Sequence, residues 1–315
     1  MSREETKLRN APEDFGFAGN PFDPQNDSIG HFWGIHETRD YMRARYGVVE
    51  ALMKIRTREA VQATLDHLLD MLRLCRGDNM GVRSLVPALY IRLGRDQDAY
   101  DFVRWYKKVD EDGNYDWGDM DVPFLDTRDA DVFEPVGECL STYNLNHTVA
   151  LTLIKIRLLL SLQTINDSAA VGSLVPPEIL DGIREQLASP AIAGNEQIMH
   201  EVKTGKSMAP HISKLKDQVD ELYDAVHKQN KYFWPALLSP GSNLTARPPW
   251  LNEHGRARKV PSPSYRFHQL VNLLGELVGI LTCLRQKMYG QAARSRRWHT
   301  SEHQADILEV SVSRK

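Results

Sequence analysis

The sequence has few cysteines and lacks several common motifs of reactive centres. Its 315 residues include only three cysteines, Cys75, Cys139 and Cys283, which lie far apart in the chain. Three separated cysteines supply neither a disulfide framework nor a zinc cluster. The phosphate-binding glycine loop, the strand-borne dinucleotide motif and the G-x-S-x-G elbow are also missing. The sequence therefore predicts no catalytic residue, no metal and no cofactor.

Long apolar runs are missing as well. No stretch reaches the ~18 consecutive apolar residues of a membrane span, and the N-terminal MSREETKLRNAPEDFGF lacks the apolar segment of a signal peptide. The net charge of −3 argues against a protein whose whole surface holds nucleic acid. We therefore expect a protein without a membrane span, in the cytoplasm or the nucleus, with nucleic acid disfavoured as a partner.

Helical periodicity is the main positive signal. Apolar residues recur at spacings of three and four along several segments, which is the pattern of amphipathic helices. The pattern predicts an N-terminal arm over residues 1–34, a helical body over 35–289 and a basic, disordered tail over 290–315. Within the body, His147–Leu162 is apolar on every side and predicts a buried central helix, whereas six prolines in residues 235–263 predict an extended crossing.

The stretch LGRDQDAYDFVRWY, Leu93–Tyr106, joins two helical patterns through Gly94. Tyr90 stands four residues before this glycine and Ala99 five residues after it. That spacing is typical of a tetratricopeptide repeat, in which glycine forms the turn and a small alanine lets the second helix cross closely. It predicts a buried Ala99. The predicted fold class is all-α, with tetratricopeptide-like helical hairpins and an inserted acidic aromatic loop over residues 109–140.

Three stretches also resemble a group of uncharacterised fungal proteins, some of which carry a MYND zinc finger: GDNMGVRSLVPALYIRLGRDQDAYDFVRWY, YDWGDMDVPFLD and KYFWPALLSPG. The resemblance covers roughly residues 20–245 and implies a tetratricopeptide-like helical body. It implies no particular activity. The dense Cys and His cluster of a MYND finger is absent here, so no role of that finger is implied.

Two stretches have spacings that partly match metal sites. Asp110–Asp121, DEDGNYDWGDMD, alternates oxygen ligands as a calcium loop does, but Tyr115 stands at the glycine position and Asp121 at the position of the bidentate Glu. His299–His303, HTSEH, matches the inverted zincin pattern, but no third ligand follows. We therefore expect the acidic loop to be solvated, and to bind a basic partner or cover the protein's own basic surface.

The predicted function is that of a non-enzymatic scaffold or adaptor that binds a protein or peptide through its helical hairpins. Polar side chains in the opening turns of predicted helices and two aromatic anchors form the expected contact set: Asn79, Arg83, Arg95, Trp105 and Trp117. Two alternatives stay open. One is an all-α enzyme whose site is dispersed in sequence, although paired D-D-x-x-D or E-x-x-H motifs are absent. The other is a nucleic-acid-associated regulator that uses the basic tail.

Overall fold

The computed structural model describes residues 1–11, 19–138, 144–171, 182 and 188–238. Within these residues the chain forms ten α-helices and no strand, apart from an isolated bridge between His31 and Cys75. The all-α prediction is confirmed. The helices are α1 Ser2–Arg9, α2 Arg39–Leu52, α3 Arg58–Leu74, α4 Val86–Arg92, α5 Asp96–Asp112, α6 Leu145–Val171, α7 Pro190–Ala193, α8 Glu196–Lys203, α9 Ala209–Gln229 and α10 Phe233–Leu238.

Helix α3 begins and packs as its sequence predicts. The Thr57 hydroxyl accepts a hydrogen bond from the Ala60 amide at 3.2 Å, which caps the first turn. The apolar stripe of this helix is buried, with Leu65, Leu68 and Leu72 fully inaccessible to solvent. Helix α3 packs against α2 on one side and α4 on the other.

The turn between α4 and α5 depends on Gly94, whose φ of +77° is readily adopted only by glycine. The Arg95 amide donates to the Tyr90 carbonyl at 2.9 Å and the Gly94 amide donates to the Ile91 carbonyl at 3.1 Å. These two bonds are the Schellman arrangement that satisfies the last carbonyls of a helix. Ala99 is 0% exposed, so its predicted burial is confirmed.

Helix α6 is the central element, as its apolar composition predicts, and it packs against α4, α5 and α9. The α9 stripe that faces the body is also buried, with Leu215 and Val226 almost inaccessible. By length and composition alone, the segment Leu145–Ser168 of α6 could cross a membrane, but 72% of its most apolar window is buried inside the protein. A core helix has the same properties.

The N-terminal segment and the acidic segment differ in part from the prediction. The segment expected to be an arm without a period begins with helix α1, whose Leu8 is buried. Helix α5 continues to Asp112 and ends at Gly113, with φ +64°. Residues 109–112 are therefore helical, while residues 114–135 contain neither helix nor strand. Helix α1 is mostly charged, and Val109 is the one apolar residue in 107–112, so no apolar stripe marks these helical turns.

The predicted crossing over residues 235–263 begins in helix α10, so its first four residues are helical and not extended. Its remaining residues lie outside the described part of the chain. The predicted basic tail over 290–315 also lies outside the described residues.

Candidate functional site

A cleft of about 290 Å³ opens between the α3–α4–α5 unit and the acidic segment. Its buried lining is largely aromatic, whereas Arg95, Asp98 and Arg128 are exposed at its edge. The residues that line the cleft are Leu69, Tyr90, Arg95, Asp98, Asp101, Phe102, Trp105, Leu125, Thr127 and Arg128.

One side of the cleft is formed by a single face of α5. Asp98, Phe102 and Trp105 are spaced by four and three residues, which places them one above the other on that face. The Gly94 turn brings Tyr90 and Arg95 beside them. The Arg95 guanidinium lies 4.8 Å from the centroid of the Tyr90 ring, and its Nε donates to Asp98 Oδ2 at 2.9 Å. These contacts fix the orientation of the guanidinium plane.

The opposite side is formed by Leu125, Thr127 and Arg128, which belong to residues 125–132, the wall segment. Leu125 and Asp129 have φ values of +50° and +52°, in the left-handed region. A leucine in this region costs of the order of 1–3 kcal/mol, and such strain often occurs at functional sites. Arg128 Nη1 donates to the Leu125 carbonyl at 2.8 Å and to the Thr127 carbonyl at 2.6 Å, which stabilises the turn from inside the segment.

Asp101 attaches the wall segment to α5. Its carboxylate accepts hydrogen bonds from the Asp129 amide at 3.0 Å, the Ala130 amide at 3.0 Å and Gln97 Nε2 at 2.9 Å. Asp101 is only 7% exposed. Burial raises the pKa of the Asp101 carboxyl, and the hydrogen bonds from Ala130, Gln97 and Asp129 act in the opposite direction. Because both oxygens are engaged, Asp101 is a positioning residue for the wall segment.

Lys155 attaches the end of the wall segment to helix α6, two residues after the Ala130 amide that Asp101 binds. Lys155, on the central helix α6, is 1% exposed, and its Nζ donates to the Val132 carbonyl at 2.6 Å and the Glu134 carbonyl at 3.0 Å. The Glu134 carboxylate accepts from the Tyr100 hydroxyl at 2.6 Å and contacts Arg104 Nε at 3.1 Å. The buried ammonium thus lies in a network of hydrogen bonds, as a buried charge requires.

The aromatic residues of the acidic segment pack on α5 rather than extending into solvent. Trp105 is 2% exposed and meets the rings of Tyr115, Trp117 and Phe124 edge to face, with centroids 5.4, 6.1 and 5.1 Å away. Edge-to-face contacts at these distances stabilise beyond their buried area. Arg76 reinforces the cluster by donating to the carbonyls of residues 119, 120 and 122.

The predicted contact residues therefore occupy three different places. Arg95 lies at the cleft edge, and Trp105 is 2% exposed and forms part of the buried lining of the cleft. Trp117 is half-buried in the aromatic cluster. Arg83 lies 5.0 Å above the Tyr106 ring and 3.8 Å from Asp78, and Asn79 accepts a hydrogen bond from Cys75 Sγ at 3.4 Å. Arg83, Asn79 and Trp117 do not line the cleft.

Three residues that shape the cleft were not predicted from the sequence: Asp101, Leu125 and Arg128. One of them had a signal, because Arg128 is the single basic residue among ten carboxylates between Asp110 and Glu134. Nothing in the sequence marks Leu125, since left-handed backbone is normally indicated by glycine or asparagine.

Beside the cleft, two buried polar groups lack a hydrogen-bond partner for one atom within the described residues: His147 Nε2 and the Tyr106 hydroxyl. Burial lowers the pKa of His147 to about 3, and burial raises the pKa of Tyr106. Both groups are therefore neutral near pH 7 and unsuited to proton transfer there. The described part of the chain also contains no group of three or more metal-ligating side chains.

Comparisons of the chain with protein-family models, with curated proteins and with solved structures give no match in any of the three.

Proposed function

We propose that the protein is a non-enzymatic adaptor that binds a segment of a partner protein in the cleft between α5 and the wall segment. The observation that carries this proposal is the construction of the cleft. Its wall contains a strained Leu125 and is attached to the body by Asp101 and Lys155. Backbone strain maintained by buried hydrogen bonds is a feature of sites that must keep one shape for a ligand.

The size and lining of the cleft support a peptide as the occupant. A volume of about 290 Å³ lies at the lower limit of small-molecule sites, which begin near ~300 Å³, and suits one or two side chains. The lining combines aromatic rings with a charged edge, which is the composition of pockets that hold anchor residues in protein interfaces. An enzyme would need titratable groups near neutrality, whereas Asp101 has its carboxylate fully engaged.

We further propose that the hairpins are tetratricopeptide-like, with residues 113–135 as an acidic insertion. The Schellman turn at Gly94 and the buried Ala99 support this, because both are features of the repeat. Membership of the fungal group that the sequence resembles stays a prediction.

A cleft-blocking variant tests the function. Peptides are selected from a phage-displayed library on the full-length chain, and their affinities are measured by fluorescence polarisation. Thr127→Trp should fill the cleft and weaken binding by about tenfold or more. The control is Thr164→Trp, an exposed position on α6 away from the cleft, which should leave affinities unchanged. Peptides that bind both variants as well as the wild type would contradict the proposal.

A further inference from the structure

Two arginines at the edge of the cleft, Arg95 and Arg128, indicate the charge of the group that binds there. Arg95 belongs to the turn before α5, and Arg128 belongs to the wall segment, so the two guanidinium groups reach the cleft from its two sides. Both groups lie close enough to the Tyr90 phenol to lower its pKa against the larger, opposite effect of burial. The cleft thus places two cations around one aromatic ring.

Most of the hydrogen-bonding capacity of these cations is unused. Arg95 uses Nε for Asp98, and its two terminal nitrogens have no partner within the described residues. Arg128 uses only Nη1, for the Leu125 and Thr127 carbonyls, which leaves Nε and Nη2. A guanidinium carries five N–H donors in a planar arrangement that matches a carboxylate. Both side chains can therefore donate hydrogen bonds to a carboxylate without breaking the contacts that orient them.

Arg128 forms no ion pair within the described residues, although its surroundings in sequence are strongly acidic. Ten carboxylates lie between Asp110 and Glu134, yet within the described residues Arg128 forms no ion pair and contacts only backbone carbonyls. The two acidic groups of the cleft are occupied, because Asp98 pairs with Arg95 and Asp101 accepts three hydrogen bonds. Asp126 and Asp129 are close to Arg128 in sequence but are exposed and do not line the cleft. Exposed charges interact weakly through solvent, so the donors that reach the cleft directly decide what binds.

We propose that the bound partner segment is acidic, an inference that rests on the proposed function. An aspartate or glutamate side chain of the partner lies between Arg95 and Arg128, and an apolar side chain next to it lies in the cleft. The apolar neighbour contacts Leu69, Phe102 and Leu125, which together with Trp105 form the apolar lining. Charge-assisted hydrogen bonds from two guanidiniums select a carboxylate over the neutral amide of the same shape.

Capped dipeptides test this directly on the full-length chain labelled with 5-fluorotryptophan. The chain has six tryptophans, and the ¹⁹F signal of Trp105 is assigned by its loss in Trp105→Phe. Acetyl-Leu-Glu-amide, acetyl-Leu-Gln-amide and acetyl-leucinate are each titrated up to about 20 mM, a range suited to the weak binding of ligands this small. We expect the Glu dipeptide to shift the Trp105 signal with an affinity about fivefold or more above that of the Gln dipeptide.

The variants identify the cation responsible. Arg128→Gln should bring the Glu-to-Gln preference close to one, while the matched control Arg43→Gln, exposed on α2 and paired with Asp40, should preserve it. Equal affinities of the two dipeptides for the wild type, or a preference that survives Arg128→Gln, would overturn the acidic occupant alone. A tighter complex with acetyl-leucinate than with the Glu dipeptide would overturn the side-chain source in favour of a chain terminus. If none of the probes shifts the ¹⁹F signal of Trp105, the peptide-binding function itself is contradicted.

Discussion

Replacing Asp101 by alanine should release the wall segment from α5. The carboxylate accepts three hydrogen bonds of 2.9–3.0 Å, and two of these come from the backbone amides of Asp129 and Ala130. Hydrogen bonds to a charged group contribute of the order of 1.5 kcal/mol each, or roughly 4.5 kcal/mol together. The cost of burying the charge, which also raises the pKa of this carboxyl, offsets part of that sum. We expect a net loss of about 2–3 kcal/mol.

The Asp101→Ala change should destabilise the wall segment more than the whole protein. A loss of about 2–3 kcal/mol corresponds to roughly a 30- to 150-fold faster amide exchange in residues 125–132, if the segment opens independently of the body. Native-state hydrogen exchange of the full chain measures this, and urea denaturation gives the global stability. Asp126→Ala is the control, because Asp126 is exposed in the same segment and makes no hydrogen bond to another residue in the described part of the chain. Unchanged exchange at Asp129 and Ala130 in the Asp101→Ala variant would refute the attachment.

Three further changes test the rest of the structure. Lys155→Met keeps the side-chain length but removes the ammonium that donates to the Val132 and Glu134 carbonyls, and urea denaturation should show a loss of about 3 kcal/mol, because hydrogen bonds to a charged group contribute about 1.5 kcal/mol each. Ala99→Leu should overpack the α4–α5 crossing and cost about 1–3 kcal/mol, whereas Ala99→Ser should be mild; a thermal melt that tolerates leucine would contradict the close crossing. The pKa of His147 falls from 6.5 to about 3 on folding, so below pH 6.5 only the unfolded chain binds the proton, and stability is lost by up to about 1.4 kcal/mol per pH unit as pH falls towards 3. His147→Asn should reduce this slope between pH 6.5 and 5 in denaturation curves and leave the contribution of His67, whose pKa burial also lowers, while the exposed His227→Asn should not reduce it.

Features that depend on neighbouring residues were predictable from the sequence. The cap at Thr57, the turn at Gly94 and the stripe of α3 all follow from contacts within one or two helical turns. The centrality of α6 followed from its composition, because a helix that is apolar on every side has no solvent face. The α1 helix was missed because its eight residues are mostly charged and show no stripe.

The attachments of the wall segment were harder to predict, because they join distant residues. Asp101 bonds to amides 28 and 29 residues away, and Lys155 bonds to carbonyls 23 and 21 residues away. One signal for Lys155 was nevertheless present in the sequence. A lysine inside the apolar run VALTLIKIRLLLSL must be buried with the helix, and a buried ammonium requires oxygen acceptors. The residue therefore indicates that an irregular segment packs against α6, without identifying which one.

The position of Trp105 shows how the interleaved aromatics of an acidic stretch should be interpreted. As isolated residues, tryptophans beside a charged loop suggest anchors for a partner. In the structure, Trp105 contacts Tyr115, Trp117 and Phe124, so the aromatic residues attach the loop to its own body. The entropy of ordering a long irregular segment must be offset by burial of large side chains, and this segment has few other apolar residues to bury. Under the proposed function, a partner would bind in the cleft that the attached loop forms with α5, where Arg95 and Arg128 have donors not used within the described residues.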